Sequence, residues 1–452
     1  MLNNGLKRIS TAGGDSLRWA LCAFLVARVM YSLWSVVVLK VSPLAVQNLT
    51  LFGYQVVSVF DLRDSRAYFY NRELGGRSLR FFSSSDHSLT DMQTGSRWDL
   101  NTGLAVSGAL QGVKLQQAPI RAEQVFPYYG VQPYPVSWLA LWQRFDTNWF
   151  LKIAERGYSV SDGSTAFFPV YPLLIRLLGD LLDDAFLASL LVSAVSLAVA
   201  MYLFHRISIA CTDRETANRA TVYLLIFPTA FFLFGGYSEP TYLAFVMGSF
   251  LFARSRRWMP AALLGALAAL TRAVGVLMFL PLIYLWWTQA DSRRWRDGLS
   301  LLMVPLATLS FLALTGLSGV SSLQNGWRAK FVLPWQNIVE FCKLAGQNRL
   351  LPIDIFDLFV VVVFAILCYA IWTRLPREFG LYSLAMFLVP LFRVNAGQPF
   401  VSMARYVLVI FPAFILLGQW GKNPWVNRLI LYLSFPVLLY FSAQFWMWGW
   451  VG

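Results

Sequence analysis

Residues 185–204 read AFLASLLVSAVSLAVAMYLF, and His205-Arg206 follow directly. This run contains no charged residue, and a helix of its length matches the hydrocarbon core of a bilayer, which is about 30 Å thick. Basic residues gather on the cytoplasmic side of membrane helices, so the helix is expected to run inward and to end at His205-Arg206. The stretch therefore predicts a membrane-spanning helix with a defined direction.

The rest of the chain repeats this pattern. Of its 452 residues, 57% are hydrophobic and 13% are charged, which is about half the charged share of an ordinary soluble protein. Apolar runs alternate with short basic connectors such as Arg254-Ser255-Arg256-Arg257. The sequence therefore predicts an all-α polytopic membrane protein with about eleven transmembrane helices.

The net charge of +14 could suggest a nucleic-acid partner. However, the arginines lie in the short connectors between apolar runs. That placement is typical of cytoplasmic loops that contact anionic lipid heads. Membrane lipids are therefore expected partners, and nucleic acid is not.

Residues 1–39 are predicted to be a cytoplasmic N terminus and a first helix that runs outward. The apolar run Leu17–Leu39 is too long for a signal peptide and lacks a convincing cleavage site, so we interpret it as a retained helix. The later spans, which alternate in direction, are predicted at about 185–204, 221–235, 239–253, 260–271, 274–289, 299–317, 356–372, 380–392, 405–418 and 428–446. This order places the C terminus outside.

Residues 40–137 are the least apolar part of the chain and are predicted to form a large extracytoplasmic first loop. Runs such as 56–60 and 78–82, which are divided by Asp, Asn and Gly, indicate short strands, so the loop is expected to be partly β. Asn48-Leu49-Thr50 has the pattern of a glycosylation sequon, although such matches are frequent by chance. No internal repeat is visible.

Residues 138–184 are predicted to contain helices at the membrane surface. Residues 138–158 have an amphipathic aromatic and basic pattern that suits an interfacial helix. Phe167–Leu182 is apolar but short and begins with two prolines, which favours an interfacial or re-entrant helix. Residues 185–452 form the predicted transmembrane domain, with a second external loop at about 319–354.

This orientation places several polar residues on the outer side of the membrane. Asp146 lies in the aromatic stretch Arg144–Tyr158, and three outer turns contain Tyr237-Ser238-Glu239, Arg272 and Arg405. Arginine forks suit phosphate, and a desolvated carboxylate suits general-base work. The set indicates that an anionic ligand is handled at the outer leaflet.

Arg28 lies within the first helix, roughly 15 Å past Arg18. An arginine at that depth should face protein or a water-filled cavity, so it is a candidate partner for an anionic ligand. Pairing with a buried carboxylate or with a backbone carbonyl is the alternative.

The other candidates also have structural explanations. Asp146 could be the N-cap of an ordinary helix. Glu239 could begin a helix at a position that favours acids, and Arg405 could be an interfacial anchor. Arg272 lies between two apolar runs, where a charge is costly unless paired, so a function is favoured there.

No metal or redox site is predicted. The four cysteines, Cys22, Cys211, Cys342 and Cys368, are far apart, and two histidines are too few for a histidine-rich site. The acidic cluster Asp180, Asp183 and Asp184 could bind a cation, but a solvated acidic turn is favoured. No cofactor is expected, and a divalent metal stays open.

Five blocks of the sequence, in this order, resemble one enzyme family. The blocks are Phe145–Tyr158, Phe167–Leu173, Gly236–Glu239, Leu270–Arg272 and Ser402–Tyr406. The chain resembles, over roughly residues 138–452, the PIG-V-type mannosyltransferases of the C superfamily (GT-C) of integral-membrane glycosyltransferases. Phe145 stands where the family usually has tryptophan, and residues 40–137 have no counterpart, which leaves the substrate open.

This resemblance implies a polyprenyl-phosphate sugar donor, which in the family is typically a mannose donor. It also implies transfer to a hydroxyl of a glycan, glycolipid or protein on the extracytoplasmic face. It implies that Asp146 is a general base and that the reaction inverts the anomeric centre. The residues expected to bind the donor phosphate or the substrate are Arg272, Arg405, Glu239, Tyr237 and Arg28, and those expected to flank the substrate are Trp149, Tyr158, Phe168 and Tyr171. A prokaryotic member in a bacterial cytoplasmic membrane is expected, because the chain shows no endoplasmic-reticulum retention signal.

A transporter or flippase of lipid-linked glycans is the alternative function, since arginines in a membrane cavity also bind lipid phosphates. A transporter should have polar residues on both faces of its pathway and often has paired broken helices. The polar residues here lie on the outer side, which favours the enzyme. A scaffold subunit with an inactive site is a third interpretation.

Overall fold

The computed structural model of the protein describes residues 13–85, 87–289, 294–316, 318–325, 329–395 and 398–451. Most of the predicted cytoplasmic N terminus therefore lies outside the described residues, as do a few residues of the predicted external loop at 319–354. The chain divides into two compact units. We call them the helical unit, which comprises the described parts of Met1–Val29, Ile153–Phe441 and Val451–Gly452, and the sheet unit, which comprises Met30–Lys152 and Ser442–Trp450.

The helical unit is built mainly of α-helices. They are Val170–Leu182, Ala185–Cys211, Arg214–Leu225, Glu239–Arg254, Trp258–Ala269, Phe279–Thr288, Trp295–Ser300, Met303–Leu314, Ser318–Asn325, Pro334–Gly346, Pro352–Arg374, Arg377–Leu391, Met403–Tyr406 and Phe411–Trp420. Short 3-10 helices are Ser164–Ala166, Ala230–Leu233, Ala273–Met278 and Val407–Val409. Three further helices, Gly13–Val41, Asp146–Arg156 and Pro424–Trp446, carry residues of both units.

Five of the described helices are long and apolar enough to cross a membrane. They are Gly14–Val41, Ala185–Cys211, Trp295–Leu314, Pro352–Arg374 and Pro424–Trp446, and the bent pair Met403–Val409 and Phe411–Trp420 makes a sixth if it is counted as one span. The prediction of a polytopic, mainly helical membrane protein is confirmed. The number of about eleven spans, which included shorter apolar helices, stays a prediction.

Two predicted spans are interrupted, each near a proline, whereas the 299–317 segment belongs to the single span Trp295–Leu314 with a two-residue turn after Ser300. Residues 221–235 form an α-helix only up to Leu225, and the 405–418 segment bends by 84° between Val409 and Phe411. The nearby prolines are Pro228 and Pro412. Proline has no backbone N–H and its ring crowds the preceding turn, so a continuous helix was the wrong prediction at these places.

The sheet unit contains the strands of the predicted first loop. They are β1 (Leu44–Leu51), β2 (Tyr54–Asp61), β3 (Ala67–Asn71), β4 (Glu73–Leu74), β5 (Arg77–Ser78), β6 (Phe81–Ser85), β7 (Ser88–Asp91), β8 (Arg97–Asp99) and β9 (Ala105–Ser107). β1, β2 and β3 form one antiparallel sheet, and β6 to β9 form another in sequence order. Both contribute to one core that includes Val57, Tyr70, Phe81 and Trp98. The prediction of a partly β first loop is confirmed, although the run 78–82 is divided between β5 and β6.

Two turns of the second sheet share a D-x-x-T-G pattern that the sequence analysis missed. In Asp91–Gly95, the glycine N–H donates to the Asp91 carbonyl at 3.0 Å and the Thr94 N–H donates to Asp91 Oδ1 at 2.6 Å. Asp99–Gly103 repeats this, with distances of 2.9 and 2.8 Å. An aspartate side chain that accepts from the backbone ahead of it stabilises such a turn.

Asn48 of the sequon pattern has a structural role. Its side-chain Nδ2 donates to the Phe81 carbonyl and its Oδ1 accepts from the Phe81 N–H, both at 2.9 Å. These bonds join β1 to β6. The amide nitrogen that a glycan would modify is therefore already used inside the sheet unit.

The helical unit contains one short sheet. Strand β10 (Ala329–Phe331) pairs antiparallel with β11 (Arg393–Asn395), with Lys330 opposite Val394. The pairing joins the predicted external loop at 319–354 to the turn, also predicted to be external, that leads to Arg405. Two segments that the topology prediction placed on the same side are thus neighbours.

Candidate functional site

Three of the predicted site residues meet in one buried ion cluster of the helical unit. Glu239 is the first residue of the helix Glu239–Arg254 and is fully buried. Its Oε1 lies 2.7 Å from Nη1 of Arg272 and 2.5 Å from Nε of Arg405. We call Glu239, Arg272 and Arg405 the arginine cluster. It joins residues from the three separate turns that the topology prediction placed on the outer side.

The arginine cluster carries one positive charge in excess, because two guanidinium groups face one carboxylate. Arg272 and Arg405 are 13% and 7% exposed, so water screens this charge poorly. Oε2 of Glu239 has no hydrogen-bond partner among the described residues. A buried carboxylate oxygen without a donor is costly, and so is an excess charge. Both features suit a ligand that brings a negative group and a hydroxyl donor.

Aromatic side chains cover the guanidinium group of Arg405. Its central carbon lies 4.7 Å from the ring centre of Tyr237 and 4.8 Å from that of Phe232. Such cation–π contacts hold the plane of the guanidinium group in place. Tyr237, which the sequence analysis selected, therefore contacts Arg405, and Phe232 is a neighbour that it missed.

Two buried side chains accept hydrogen bonds from the backbone before Arg405. Asp357 Oδ1 accepts from the Ala404 N–H at 2.7 Å, and Asn337 Oδ1 accepts from the Phe400 N–H at 3.0 Å. Between these points Ser402 has a left-handed φ of 68°, a conformation that its neighbours must enforce. Asp357 lies in the helix Pro352–Arg374, 47 residues before Ala404 in the chain. Its contact with this turn could therefore not be predicted from the local sequence.

Arg28 has a backbone partner. Its Nη1 donates to the Phe234 carbonyl at 2.7 Å. Phe234 lies in the segment that leads to Tyr237 and Glu239. The contact is of the backbone-carbonyl type that the sequence analysis kept as the alternative to ligand binding.

The three predicted flanking aromatics of the helical unit differ in burial. Tyr158 and Phe168 both pack on the ring of Phe311, with centroid distances of 5.6 and 4.8 Å, and Tyr158 is 38% exposed. Tyr171 is fully buried. Its hydroxyl lies 2.7 Å from Ser193 Oγ, which in turn donates to the Tyr237 carbonyl at 3.1 Å. Tyr171 therefore supports the backbone of Tyr237.

Asp146 belongs to the sheet unit, where it begins the helix Asp146–Arg156 and is partly exposed. The prediction of one amphipathic helix over residues 138–158 was wrong. A short helix ends at Ala140, a turn follows, and the longer helix starts at Asp146. Phe145 at this turn has a left-handed φ of 48°, which a helix cannot contain. The turn ends the preceding helix and leaves Asp146 in the first turn of the next one.

Tyr129 is a neighbour of Asp146 that the sequence analysis missed. Its ring stacks on Trp149 with centroids 4.0 Å apart, and Lys152 Nζ lies 5.0 Å from the Trp149 ring. Burial raises the pKa of Tyr129 to about 12, and the charge of Asp146 contributes in the same direction. The run Phe126-Pro127-Tyr128-Tyr129 in the sequence was the signal that could have indicated this aromatic surface.

The acidic cluster near residue 180 organises two helix ends. Asp183 has a left-handed φ of 54° after the helix Val170–Leu182, and Asp184 Oδ1 accepts from the Leu187 N–H at 2.8 Å as an N-cap. Within the described part of the chain, no group of three or more His, Cys, Asp or Glu side chains is placed to hold a metal ion.

Residues 128–303 match the family described as mannosyltransferase (PIG-V). This range contains Asp146, Glu239 and Arg272 and ends before Arg405. No curated protein matches the chain. Among solved structures, the chain is similar to the crystal structure of ArnT from Cupriavidus metallidurans bound to undecaprenyl phosphate, with 15% identity, a TM-score of 0.40 and coverage of 67% of this chain and 71% of that chain. The resemblance predicted from the motifs is thereby confirmed over residues 128–303.

Proposed function

We propose that the protein is an inverting glycosyltransferase that moves a sugar, most simply mannose, from a polyprenyl-phosphate donor to a hydroxyl group of an extracytoplasmic or lipid-linked acceptor. Asp146 is the general base. The observation that carries this proposal is the position of Asp146 inside the matched family segment, in the first turn of a helix and partly open to solvent. Residues 138–184 then serve as the catalytic loop, on the outer face of a bacterial cytoplasmic membrane.

The chemistry needs a base because an acceptor hydroxyl is a weak nucleophile. In the proposed step, Asp146 takes the hydroxyl proton while the acceptor oxygen bonds to the anomeric carbon. The bond from that carbon to the phosphate oxygen breaks, and the polyprenyl phosphate leaves with the electron pair. One displacement of this kind inverts the anomeric configuration.

The departing phosphate gains negative charge, which a cationic site stabilises. We assign this work to the arginine cluster, because it holds an excess positive charge in a place with little water. The unpartnered Oε2 of Glu239 offers an acceptor for a hydroxyl group of the same donor. Trp149, Tyr158 and Phe168 are the aromatic residues that we assign to the flanks of the sugar and the lipid chain.

The test is sugar transfer in detergent from polyprenyl-phosphate mannose by the wild-type protein and by Asp146→Asn. The substitution keeps the shape of the side chain and removes its ability to take a proton. We expect the rate to fall by a factor on the order of 10² to 10⁴, the usual contribution of a general base. Glu155→Gln is the matched control, since Glu155 is an exposed carboxylate on the same helix and should keep wild-type activity.

Other results would redirect the proposal. Equal transfer by the wild type and Asp146→Asn would remove Asp146 as the base. A product with the anomeric configuration of the donor would remove the single displacement. Passage of polyprenyl-phosphate mannose across vesicles without any transfer would favour the transporter or flippase function.

A further inference from the structure

Arg144, two residues before Asp146, is among the largest fully buried side chains and is 1% exposed. Its Nε donates to the Trp446 carbonyl at 2.9 Å. Its Nη1 donates to the Ala140 carbonyl at 2.7 Å and to the Gln143 carbonyl at 3.0 Å. A guanidinium group is stable in such a place only if its N–H groups are bonded, and these three carbonyls accept three of its five N–H groups.

Two of these carbonyls are helix ends. Ala140 ends the helix Ser137–Ala140, and Trp446 ends the helix Pro424–Trp446. The last carbonyls of a helix have no partner within it, and they form the negative end of its dipole. A buried cation satisfies both requirements. Arg144 therefore ties the turn before Asp146 to the end of a helix about three hundred residues later in the chain.

Phe145 is held by the same part of the chain. Its left-handed φ of 48° is strained for a bulky residue and persists only if the surroundings enforce it. Its ring lies 5.7 Å from that of Phe445, 5.4 Å from that of Trp448 and 5.0 Å from that of Trp450. We call residues 445–450 the C-terminal aromatic segment.

The C-terminal aromatic segment is itself fixed within the sheet unit. The Trp448 ring lies 4.7 Å from the guanidinium carbon of Arg144, and its carbonyl accepts from Gln47 Nε2 of β1 at 3.1 Å. Trp446 is fully buried and packs edge-on against Trp142 at 5.2 Å. Arg144 and Phe145 are therefore held by a C-terminal aromatic segment that is itself fixed by contacts within the sheet unit.

We propose that Arg144 is a positioning residue for Asp146 and that the C-terminal aromatic segment is the support through which it acts. The inference rests on the proposed function, in which Asp146 is the base. Catalysis tolerates little displacement of such a group, since a shift of about 1 Å can cost roughly a hundredfold in rate. Lysine can replace Arg144 only in part, because its ammonium keeps the charge but lacks the planar fork that reaches carbonyls on different sides.

The first experiment measures how accessible position 146 is, without using the catalytic activity. Asp146→Cys is introduced into a chain in which Cys22, Cys211, Cys342 and Cys368 are serine, and its rate of alkylation by a charged maleimide is measured in detergent. Adding Arg144→Gln should raise this rate roughly tenfold, the factor that corresponds to losing one hydrogen bond from a charged donor. Adding Arg156→Gln should leave it unchanged, since that guanidinium lies at the exposed far end of the same helix.

The second experiment separates positioning from general loss of structure. In the chain with Asp146 intact, Arg144→Gln should lower kcat roughly a hundredfold and leave the KM for polyprenyl-phosphate mannose unchanged. The kcat of Arg144→Lys should lie between that of the wild type and that of Arg144→Gln. If Arg144→Gln does not give a monodisperse protein, Arg144→Lys alone decides the question, because it keeps the buried charge.

An alkylation rate in both Arg144 variants equal to that of Asp146→Cys alone would overturn the positioning role. Failure of the proposed function looks different. If Asp146→Asn transfers sugar at the wild-type rate while Arg144→Gln still speeds alkylation, then Arg144 holds the turn but the turn does not contain the base.

Discussion

Nη1 of Arg272 lies 2.7 Å from Oε1 of Glu239, and the same oxygen is shared with Arg405. A second buried pair in the helical unit, Arg254 and Glu378, has a similar separation of 2.9 Å. The two pairs differ in charge balance. The pair Arg254–Glu378 is neutral, whereas the three side chains of the arginine cluster together carry one positive charge, and a buried charge is costly unless it is paired.

We therefore expect Arg272→Gln to weaken donor binding. The substitution makes the cluster neutral and removes a guanidinium fork, and one hydrogen bond from a charged donor is worth about 1.5–3 kcal/mol. The KM for polyprenyl-phosphate mannose should rise roughly 10- to 150-fold. The measurement is transfer rate against donor concentration, at low and high salt.

Arg254→Gln is the matched control for that variant. Arg254 is also ion-paired and mostly buried, with 19% exposure against 13% for Arg272. The Arg254→Gln substitution should leave the KM for the donor at the wild-type value, even if the unfolding temperature falls. Equal increases in KM for the two variants would show that the arginine cluster has no special role in donor binding.

Asp357 should matter for donor binding through the backbone next to Arg405. It accepts from the Ala404 N–H at 2.7 Å and so fixes the turn on which Arg405 lies. Asp357→Ala leaves that buried N–H without its acceptor, at a cost of about 1–3 kcal/mol, and lets Arg405 shift. We expect a higher KM for the donor, measured in the same transfer assay.

Asp354→Ala is the comparison for Asp357. Asp354 lies one turn earlier on the same helix and accepts from the Leu351 N–H at 2.8 Å, so its loss should loosen only the helix start. A drop in donor affinity as large as that of Asp357→Ala would contradict the positioning of Arg405 by Asp357.

Much of the fold follows from the sequence because membrane helices have a strong signal. The run 185–204 predicts the observed helix Ala185–Cys211 through its length and lack of charge. The breaks near Pro228 and Pro412 could also be predicted from the sequence, since proline has a known effect on helices. The pairing of β10 with β11 could not be predicted, because each strand has three residues and its partner lies far along the chain.

The candidate site could also be predicted only in part. Motif and topology selected Glu239, Arg272 and Arg405 as charged residues of outer turns. That both arginines share one oxygen of Glu239 depends on packing among three turns, which no local pattern encodes. The strained turn at Phe145 was hidden for a related reason, since its conformation comes from contacts with Trp448 and Trp450 at the other end of the chain.

The sheet unit should lose stability in acid partly through Asp91. Burial alone would raise the pKa of Asp91, but hydrogen bonds from Trp98 and Thr94 outweigh it and lower the pKa from its ordinary value of 3.8. A carboxyl group with a lowered pKa contributes its full stability above the unfolded value and loses it as the pH falls through the folded value. The contribution of Asp91 is therefore present at neutral pH and fades below about pH 3.8.

Asp91→Asn should remove this contribution. We expect faster hydrogen exchange in the segment 88–107 of the full-length protein at neutral pH, by an amount equivalent to about 1–3 kcal/mol. Exchange corrected for its intrinsic rate should then change less with pH below 3.8 than in the wild type. Asp64→Asn, at an exposed position, is the control, and an effect there as large as at Asp91 would contradict the assignment.

Gly103→Ala should destabilise the sheet unit more than Gly95→Ala. The two glycines occupy the same place in the two D-x-x-T-G turns and have nearly the same left-handed φ, 69° and 68°. An alanine is strained by about 1 kcal/mol at either position. At Gly95 no atom lies within 4 Å of the added carbon, whereas at Gly103 the carbon would lie 2.7 Å from Cε1 of Tyr70.

Tyr70 cannot easily move away from that carbon. It is 3% exposed, and its hydroxyl donates to the Leu100 carbonyl at 2.8 Å. Overpacking of this kind costs about 1–3 kcal/mol beyond the backbone strain. Hydrogen exchange in the segment 88–107 should therefore be faster in Gly103→Ala than in Gly95→Ala. Equal exchange in the two variants would mean that the ring of Tyr70 yields at no cost and that the close approach at Gly103 does not constrain the turn.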